Sequence, residues 1–291
     1  MRNRVVLIKD YQVALSFAEQ LKQAQIPFAT VEAEYGDFCV EGTHATLAHH
    51  VPAYREAPAP CIRTDVASLK DGVILISHLD LDTLGGIALL EDCYLPHSFW
   101  ESEAIIDTQG ALGVPLIPED DNDLMKIYWA WENTTANLKI TAFEDYLEVT
   151  EQVSERLSFL NQLLSNELSG STLTHYLAIF HQYLNEYLES CLYEDSHLRI
   201  FAHEDPMHFQ VHRRGDEWVD VCLHYNPKQK TLILSDISGR MDCGALMKEL
   251  FGEKAGGQYR IGGTPRDEAV SLFAVFYLKD VLRSRFFNNL L

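Results

Sequence analysis

Basic residues are scarce in this chain of 291: 23 Lys and Arg stand against 43 Asp and Glu, a formal net charge of −20. A protein that coats long duplex nucleic acid needs a broad field of Lys and Arg to displace counterions from phosphates, so that class is disfavoured. A small anion gripped by a few local cations, or by a metal held on carboxylates, stays compatible. The six cysteines include no Cys-x-x-Cys pair, which argues against zinc ribbons and thioredoxin-type redox sites and suits reduced thiols. No apolar run approaches the roughly 20 residues that span a bilayer, and Asp10 arrives too early for an apolar signal region. A cytoplasmic protein with no membrane attachment is the expectation. Internal repeats and low-complexity stretches are missing as well.

What is present is a core: 47% hydrophobic and 11% aromatic residues are enough for two domains or one large one. Val5 to Ile8, the helical spacing of Val13, Ala14, Phe17, Ala18 and Leu21, and the extended pattern from Pro27 to Ala33 predict an opening β–α–β unit. Gly72 to Ser77 is apolar enough for a strand buried on both faces, with a helix over Leu84–Leu90 and a further buried strand over Ala104–Asp107. Helical periodicity runs from Asp121 to about Glu194, broken at Asn166–Thr172, where Gly170 reads as a stop and Ser171 or Thr172 as a cap. Short strands follow at Leu198–Ala202, Phe209–His212, Trp218–His224 and Thr231–Leu234, then a helix near Ala245–Phe251, a glycine-rich loop and a terminal helix. The fold class is therefore α/β: an N-terminal parallel-sheet domain (1–125), a helical connector (126–195) and a smaller C-terminal α+β domain (196–291).

The most informative stretch is Ser77-His78-Leu-Asp80-Leu-Asp82-Thr83. It follows a buried parallel strand, where open α/β sheets bind ligands, and the H-x-D-x-D alternation can aim one imidazole and two carboxylates into one crevice. Mixed nitrogen and oxygen donors suit Mn²⁺ or Mg²⁺. Gly85 and Gly86 would let the next helix start close to a bound ion. The plainer reading makes Asp80 or Asp82 a helix cap and His78 a loop histidine. Asp107, at the end of the expected Ala104–Asp107 strand, would emerge at the same sheet edge as His78.

Upstream, His44, His49 and His50 place three imidazoles in seven residues. On a loop His49 and His50 could both be ligands; on a helix they would diverge by about 100°. Ordinary surface or hydrogen-bonded histidines are the alternative. Cys61 is expected to be simply buried. In the C-terminal region Gly256, Gly257, Gly262 and Gly263 would let backbone amides approach an anion, with Arg260 and Arg266 as local cations; turn glycines and paired arginines are the competing explanation. His208 and His212 share strand parity and are expected to be solvent-exposed.

Taken together these residues resemble the DHH phosphoesterase superfamily. His78-x-Asp80-x-Asp82 is similar to its first metal motif, Asp107-Thr-Gln-Gly to its strand-end D-x-G motif, and Gly256-Gly-Gln-Tyr-Arg-Ile-Gly-Gly to its C-terminal glycine-rich segment, although that segment's histidine is absent. The namesake Asp-His-His triplet occurs nowhere, and Thr83 stands where the family has glycine. Either His49-His50 supplies the imidazoles from an earlier loop, or the site is degenerate.

The resemblance implies hydrolysis of a small phosphoester, such as a short oligonucleotide or cyclic dinucleotide, with one or two Mn²⁺ or Mg²⁺ ions on His78, Asp80, Asp82, Asp107, His49 and His50. Catalysis would fall to Asp80 and to His49 or His50, and a remote phosphate to Arg266 and the glycine-rich loop. The alternative is a non-enzymatic binding or regulatory protein with a decayed site. A third reading makes the helical segment a homodimer surface.

Overall fold

A computed structural model describes residues 1–93, 96–140, 146–204, 210–214, 217–257, 259–265 and 268–287. They form two compact units, 1–108 with 117–178 and 109–116 with 179–291.

The first unit is built on a sheet of β1 (Arg4–Leu7), β2 (Phe28–Val31), a short hairpin β3 (Glu34–Tyr35) and β4 (Phe38–Cys39) standing apart from it, β5 (Ala45–Leu47), β6 (Val73–Ile76) and β7 (Leu147–Glu148). The spatial order is β5-β2-β6-β1-β7; the first four strands are parallel and β7 pairs antiparallel at the edge. Both faces are covered, which is why these strands read as continuous apolar runs rather than alternating ones. On one face Val6, Ile8, Phe28, Val73 and Leu75 pack with Ala14, Ala18 and Leu21 of α1 (Tyr11–Gln23), whose first turn is capped by Asp10. On the other, Val5, Leu7, Ala29, Val31, Ile74 and Ile76 pack under α2 (Leu81–Leu90), α3 (His97–Gln109), α4 (Glu119–Thr134) and α5 (Thr150–Leu164).

Two sequence expectations are corrected in this unit. Ala104–Asp107 is not a strand but the last turns of α3. An apolar run of four is ambiguous between strand and helix. The residues before it decide: Phe99, Trp100, Glu103 and Ala104 are buried at helical spacing, with the next position on that face occupied by Asp107. Gly85 and Gly86 lie inside α2, where a Cβ on Gly85 would stand 2.2 Å from the Cys61 Cβ and one on Gly86 2.6 Å from Val31 Cγ1. They let the helix pack tightly on the Pro60–Ile62 turn and on β2 rather than approach an ion.

The second unit takes in the end of α6 (Gly170–Glu189), a helix whose start is capped by Ser169, its hydroxyl accepting from Thr172 N, rather than by Ser171 or Thr172. Its sheet has six strands in the order β14-β15-β13-β12-β9-β8: β8 (Cys191–Glu194), β9 (Leu198–Ala202), β12 (Val221–Asn226), β13 (Thr231–Asp236), β14 (Gly256–Gly257) and β15 (Ile261–Gly263). Beside it lie a minor ladder, β10 (Arg213–Arg214) with β11 (Glu217–Trp218), and the helices α7 (Cys243–Phe251) and α8 (Leu272–Leu282). The β9–β12 pair is parallel and the rest antiparallel, as an α+β unit requires.

Gln210–His212 is a 3₁₀ turn rather than a strand, and His212 is wholly buried instead of exposed. The ring is accepted in the core because both nitrogens are satisfied: Nδ1–H donates to Val219 O (2.8 Å) and Nε2 accepts from the Ser235 hydroxyl (2.6 Å). His208 lies outside the described residues. None of the described helices is long and apolar enough to cross a membrane, and all six cysteines are free thiols.

Candidate metal centre

The carboxyl ends of the neighbouring strands β2 and β6 meet at one edge of the first sheet, and each delivers acidic or imidazole side chains to it. After β6 come His78 and Asp80. Asp80 does cap α2, its Oδ1 accepting from Thr83 N at 2.9 Å, but its other oxygen, Oδ2, lies 3.0 Å from His78 Nε2. Asp82, in the first turn of α2, accepts from Cys61 N with Oδ1 (2.9 Å) and turns Oδ2 toward His49 Nε2 at 3.3 Å. Asp107, from α3, brings Oδ2 to 3.4 Å from the same nitrogen and Oδ1 to 3.8 Å from His50 Nε2.

His49 and His50 sit on an irregular loop after β5, so the helical divergence does not arise. Glu34 Oε1 accepts both of their backbone N–H groups (2.9 and 3.1 Å), which turns the adjacent rings to one side with centroids 3.9 Å apart. His44 is apart from them, exposed and bonded to Ala67 O. Cys61 is buried as expected, with its thiol on Trp100 O.

At the centre is a residue that motif reading passed over. Glu32, the first residue after β2, is wholly buried; its Oε1 lies 3.2 Å from both His49 Nε2 and His50 Nε2, and its Oε2 lies 3.5 Å from His78 Nε2. The signal was available: Thr30-Val31-Glu32 is a carboxylate at a parallel strand's end, the same argument that singled out Asp80. Three overlapping groups, Glu32-His49-His50, Glu32-His78-Asp80 and His49-Asp82-Asp107, each offer donor atoms within 4.8 Å of one another.

Electrostatics show how such a cluster survives burial. His49 and His78 lose solvation, yet the carboxylates beside them outweigh that loss and push both up to about 10. Glu32 is likewise opposed by burial, but its three imidazoles hold it well below the usual carboxylate range. Asp107 is pushed up to about 7 by burial and by Asp82. Glu103, one turn before Asp107 on α3, is raised well above a normal carboxyl by burial and by four nearby carboxylates. Imidazolium protons thus balance the negative charge.

The donor set fits a divalent ion. Asp82 Oδ2 and Asp107 Oδ2 are buried without a hydrogen-bond donor among the described residues, and both face the volume bounded by His49 Nε2. One imidazolium at 3.3 and 3.4 Å is the charge these two buried oxygens share, and a divalent cation would serve both.

No family model matches the chain, and no curated protein matches it. Among solved structures, a pGpG-specific phosphodiesterase, PggH from Vibrio cholerae, is similar over 98% of each chain with 9% identity and a TM-score of 0.43. An uncharacterized protein from Helicobacter pylori G27 is similar over 94% of this chain and 80% of that one, with 14% identity and a TM-score of 0.25.

In the second unit Gly256–Gly257 pairs with Gly262–Gly263 as a hairpin against α7. A Cβ on Gly257 would stand 2.3 Å from Ile261 O, and one on Gly262 2.6 Å from Cys243 O, so close backbone packing requires both glycines. Arg260 donates to Ile237 O (3.1 Å) and lies over Gly239. Arg266 lies outside the described residues.

Proposed function

We propose that the chain is a metal-dependent hydrolase of a small phosphoester, in the class of short oligonucleotides or cyclic dinucleotides. One or two divalent ions would be held by His49, His50, His78, Asp80, Asp82 and Asp107 together with Glu32. The observation that carries the reading is the convergence of a sequence-distant histidine pair on the carboxylates of the H-x-D-x-D segment. It favours an intact site over a decayed one, since a site released from selection has no reason to keep four carboxylates and three imidazoles converging, with Glu32, Asp82 and His49 buried among them. Imidazole donors favour Mn²⁺ over Mg²⁺.

When bound, the ion supplies Lewis-acid stabilisation of charge on the phosphoryl oxygens and makes water a stronger nucleophile at neutral pH. The chain's own residues do the rest. Glu34 keeps both histidines turned to the site through their backbone amides. With an ion bound, His78 would give up its Nε2 proton, and the Ser77 hydroxyl, 3.0 Å from His78 Nδ1, would accept the proton kept there and leave Nε2 as the donor atom. Of the adjacent pair, His50, with 29% of its side chain exposed against 5% for His49, is the one placed to pass a proton between site and solvent. Arg260, Arg266 and the Gly256–Gly263 hairpin are assigned to a remote phosphate of the substrate in the same proposal.

The test is hydrolysis of bis-p-nitrophenyl phosphate by protein purified with Mn²⁺. Activity should vanish with EDTA and return with Mn²⁺, and Asp80→Asn, which keeps a capping oxygen but loses the charge, should cost on the order of a hundredfold. Activity that ignores EDTA, or an Asp80→Asn protein as active as its parent, would sink the mechanism.

A further inference from the structure

The H-x-D-x-D segment is bracketed by two hydroxyl residues, Ser77 and Thr83, and both point back at Glu32. The Thr83 hydroxyl, wholly buried, donates to Glu32 Oε2 at 2.6 Å. The Ser77 hydroxyl donates to the Glu32 carbonyl, while Glu32 N donates to Leu47 O at 2.8 Å. These bonds hold Glu32 at φ +46°, in the left-handed region that a glutamate seldom occupies. Such a conformation persists only where the surroundings over-determine it.

From this geometry we infer that Glu32 is itself a metal ligand and that Thr83 and Ser77 are positioning residues for it. The division of labour follows from the oxygens. Oε2 is committed to the Thr83 hydroxyl, so Oε1 is the oxygen presented to His49 and His50, at 3.2 Å from each. Without Thr83 the carboxylate could rotate about its last torsion and lose that aim, because among the described residues no other hydroxyl or amide bonds Oε2, and His78 Nε2 stands off at 3.5 Å. Ser77 acts twice, anchoring the Glu32 backbone and, through the same oxygen, setting the ring of His78. The carboxylate and the two imidazoles that the sequence lacks as a contiguous triplet are thus assembled as Glu32 with His49-His50. The hydroxyl at position 83 has a use that glycine there could not serve.

This inference rests on the metal-binding reading above, and metal affinity, read without turnover, separates the two. The probe is Mn²⁺ alone, titrated into the full chain and followed by the electron paramagnetic resonance of free Mn²⁺. Thr83→Val keeps the shape and removes the donor, and Thr83→Ala removes the donor and leaves a gap. Both should weaken Mn²⁺ binding about 10- to 100-fold, the range for loss of a partner that orients a ligand, while Thr83→Ser should stay within about threefold of the parent. Ser77→Ala should weaken binding as well. A purely structural Thr83 would instead lower the melting temperature of Thr83→Ala and leave Mn²⁺ affinity alone in whichever variant folds, and that result overturns the inference. Should neither variant fold, anomalous scattering from Mn²⁺-loaded crystals of the parent decides. Manganese beside Glu32 Oε1 with Oε2 still on Thr83 supports the assignment; manganese on the histidines and aspartates without Glu32 contradicts it. Absence of manganese from the whole cluster would instead defeat the underlying metal-binding reading.

Discussion

Asp82→Asn is expected to reduce Mn²⁺-dependent phosphodiester hydrolysis by about a thousandfold while leaving the metal-free protein folded. The substitution is nearly isosteric, and the amide oxygen can still accept from Cys61 N, the bond that ties α2 to the Pro60–Ile62 turn. What changes is the other end of the side chain. Oδ2 is a buried oxygen with no donor of its own, 3.3 Å from His49 Nε2, and asparagine puts an uncharged amide there. If the ion contributes several kcal/mol of charge stabilisation to the reaction, losing an anionic ligand at about 1.4 kcal/mol per decade gives a loss of that size. The fold should register far less: a change of about 1 kcal/mol moves the melting temperature of a domain this large by only roughly 2–4 °C. Activity and melting measured on one preparation check both halves. Equal losses in the two, or full activity, would mean that Asp82 serves α2 packing alone.

The second unit should lose stability between pH 6.5 and 5, before most of its carboxylates titrate. Two buried histidines there are held neutral. His212 is pushed down to about 4 by burial, with one nitrogen donating to Val219 O and the other accepting from Ser235. His224 is pushed down to about 4 by burial and by His203, and its Nδ1 accepts from the Tyr187 hydroxyl at 2.5 Å. A histidine that is harder to protonate when folded gives stability that is complete above its unfolded value, near 6.5, and is lost as pH falls toward the folded one. At pH 5 that loss is about 2 kcal/mol for each ring, a large share of a domain's usual 5–15 kcal/mol. Hydrogen exchange across β9, β12 and β13 should show protection falling over this window, and less steeply in His212→Gln. Protection that holds constant down to pH 5 would contradict the assignment of neutral, buried rings.

The fold was legible where one physical signal dominated. Val5–Ile8 and Val73–Ile76 are apolar on both faces because helices cover both faces of their sheet, and such strands are hard to mistake. Ala104–Asp107 was not, because four residues cannot distinguish the two periods, and the deciding burial of Phe99, Trp100 and Glu103 lies upstream. Asp107 still reached the site, since a helix end can deliver a carboxylate as well as a strand end can. His49 and His50 could be suspected but not placed; what places them is Glu34, through a contact of backbone amides with a side chain some 15 residues away that spacing does not encode. Glu32 was missed because its partners, Thr83 and Ser77, are distant in sequence and its left-handed backbone leaves no compositional trace. His212 was misjudged for a related reason: the burial of an imidazole depends on the groups that satisfy its nitrogens, here Val219 and Ser235.

Metal counting decides whether the cluster of His49, Asp82, Asp107 and Glu32 holds a divalent ion. The full chain, stripped with chelator, reloaded with Mn²⁺ and freed of excess ion by desalting, would be analysed by elemental mass spectrometry beside Asp82→Asn. At least one tightly held manganese per parent chain is expected, and a small fraction of that in the variant. Manganese absent from the folded parent, or retained equally by both proteins, would contradict that expectation.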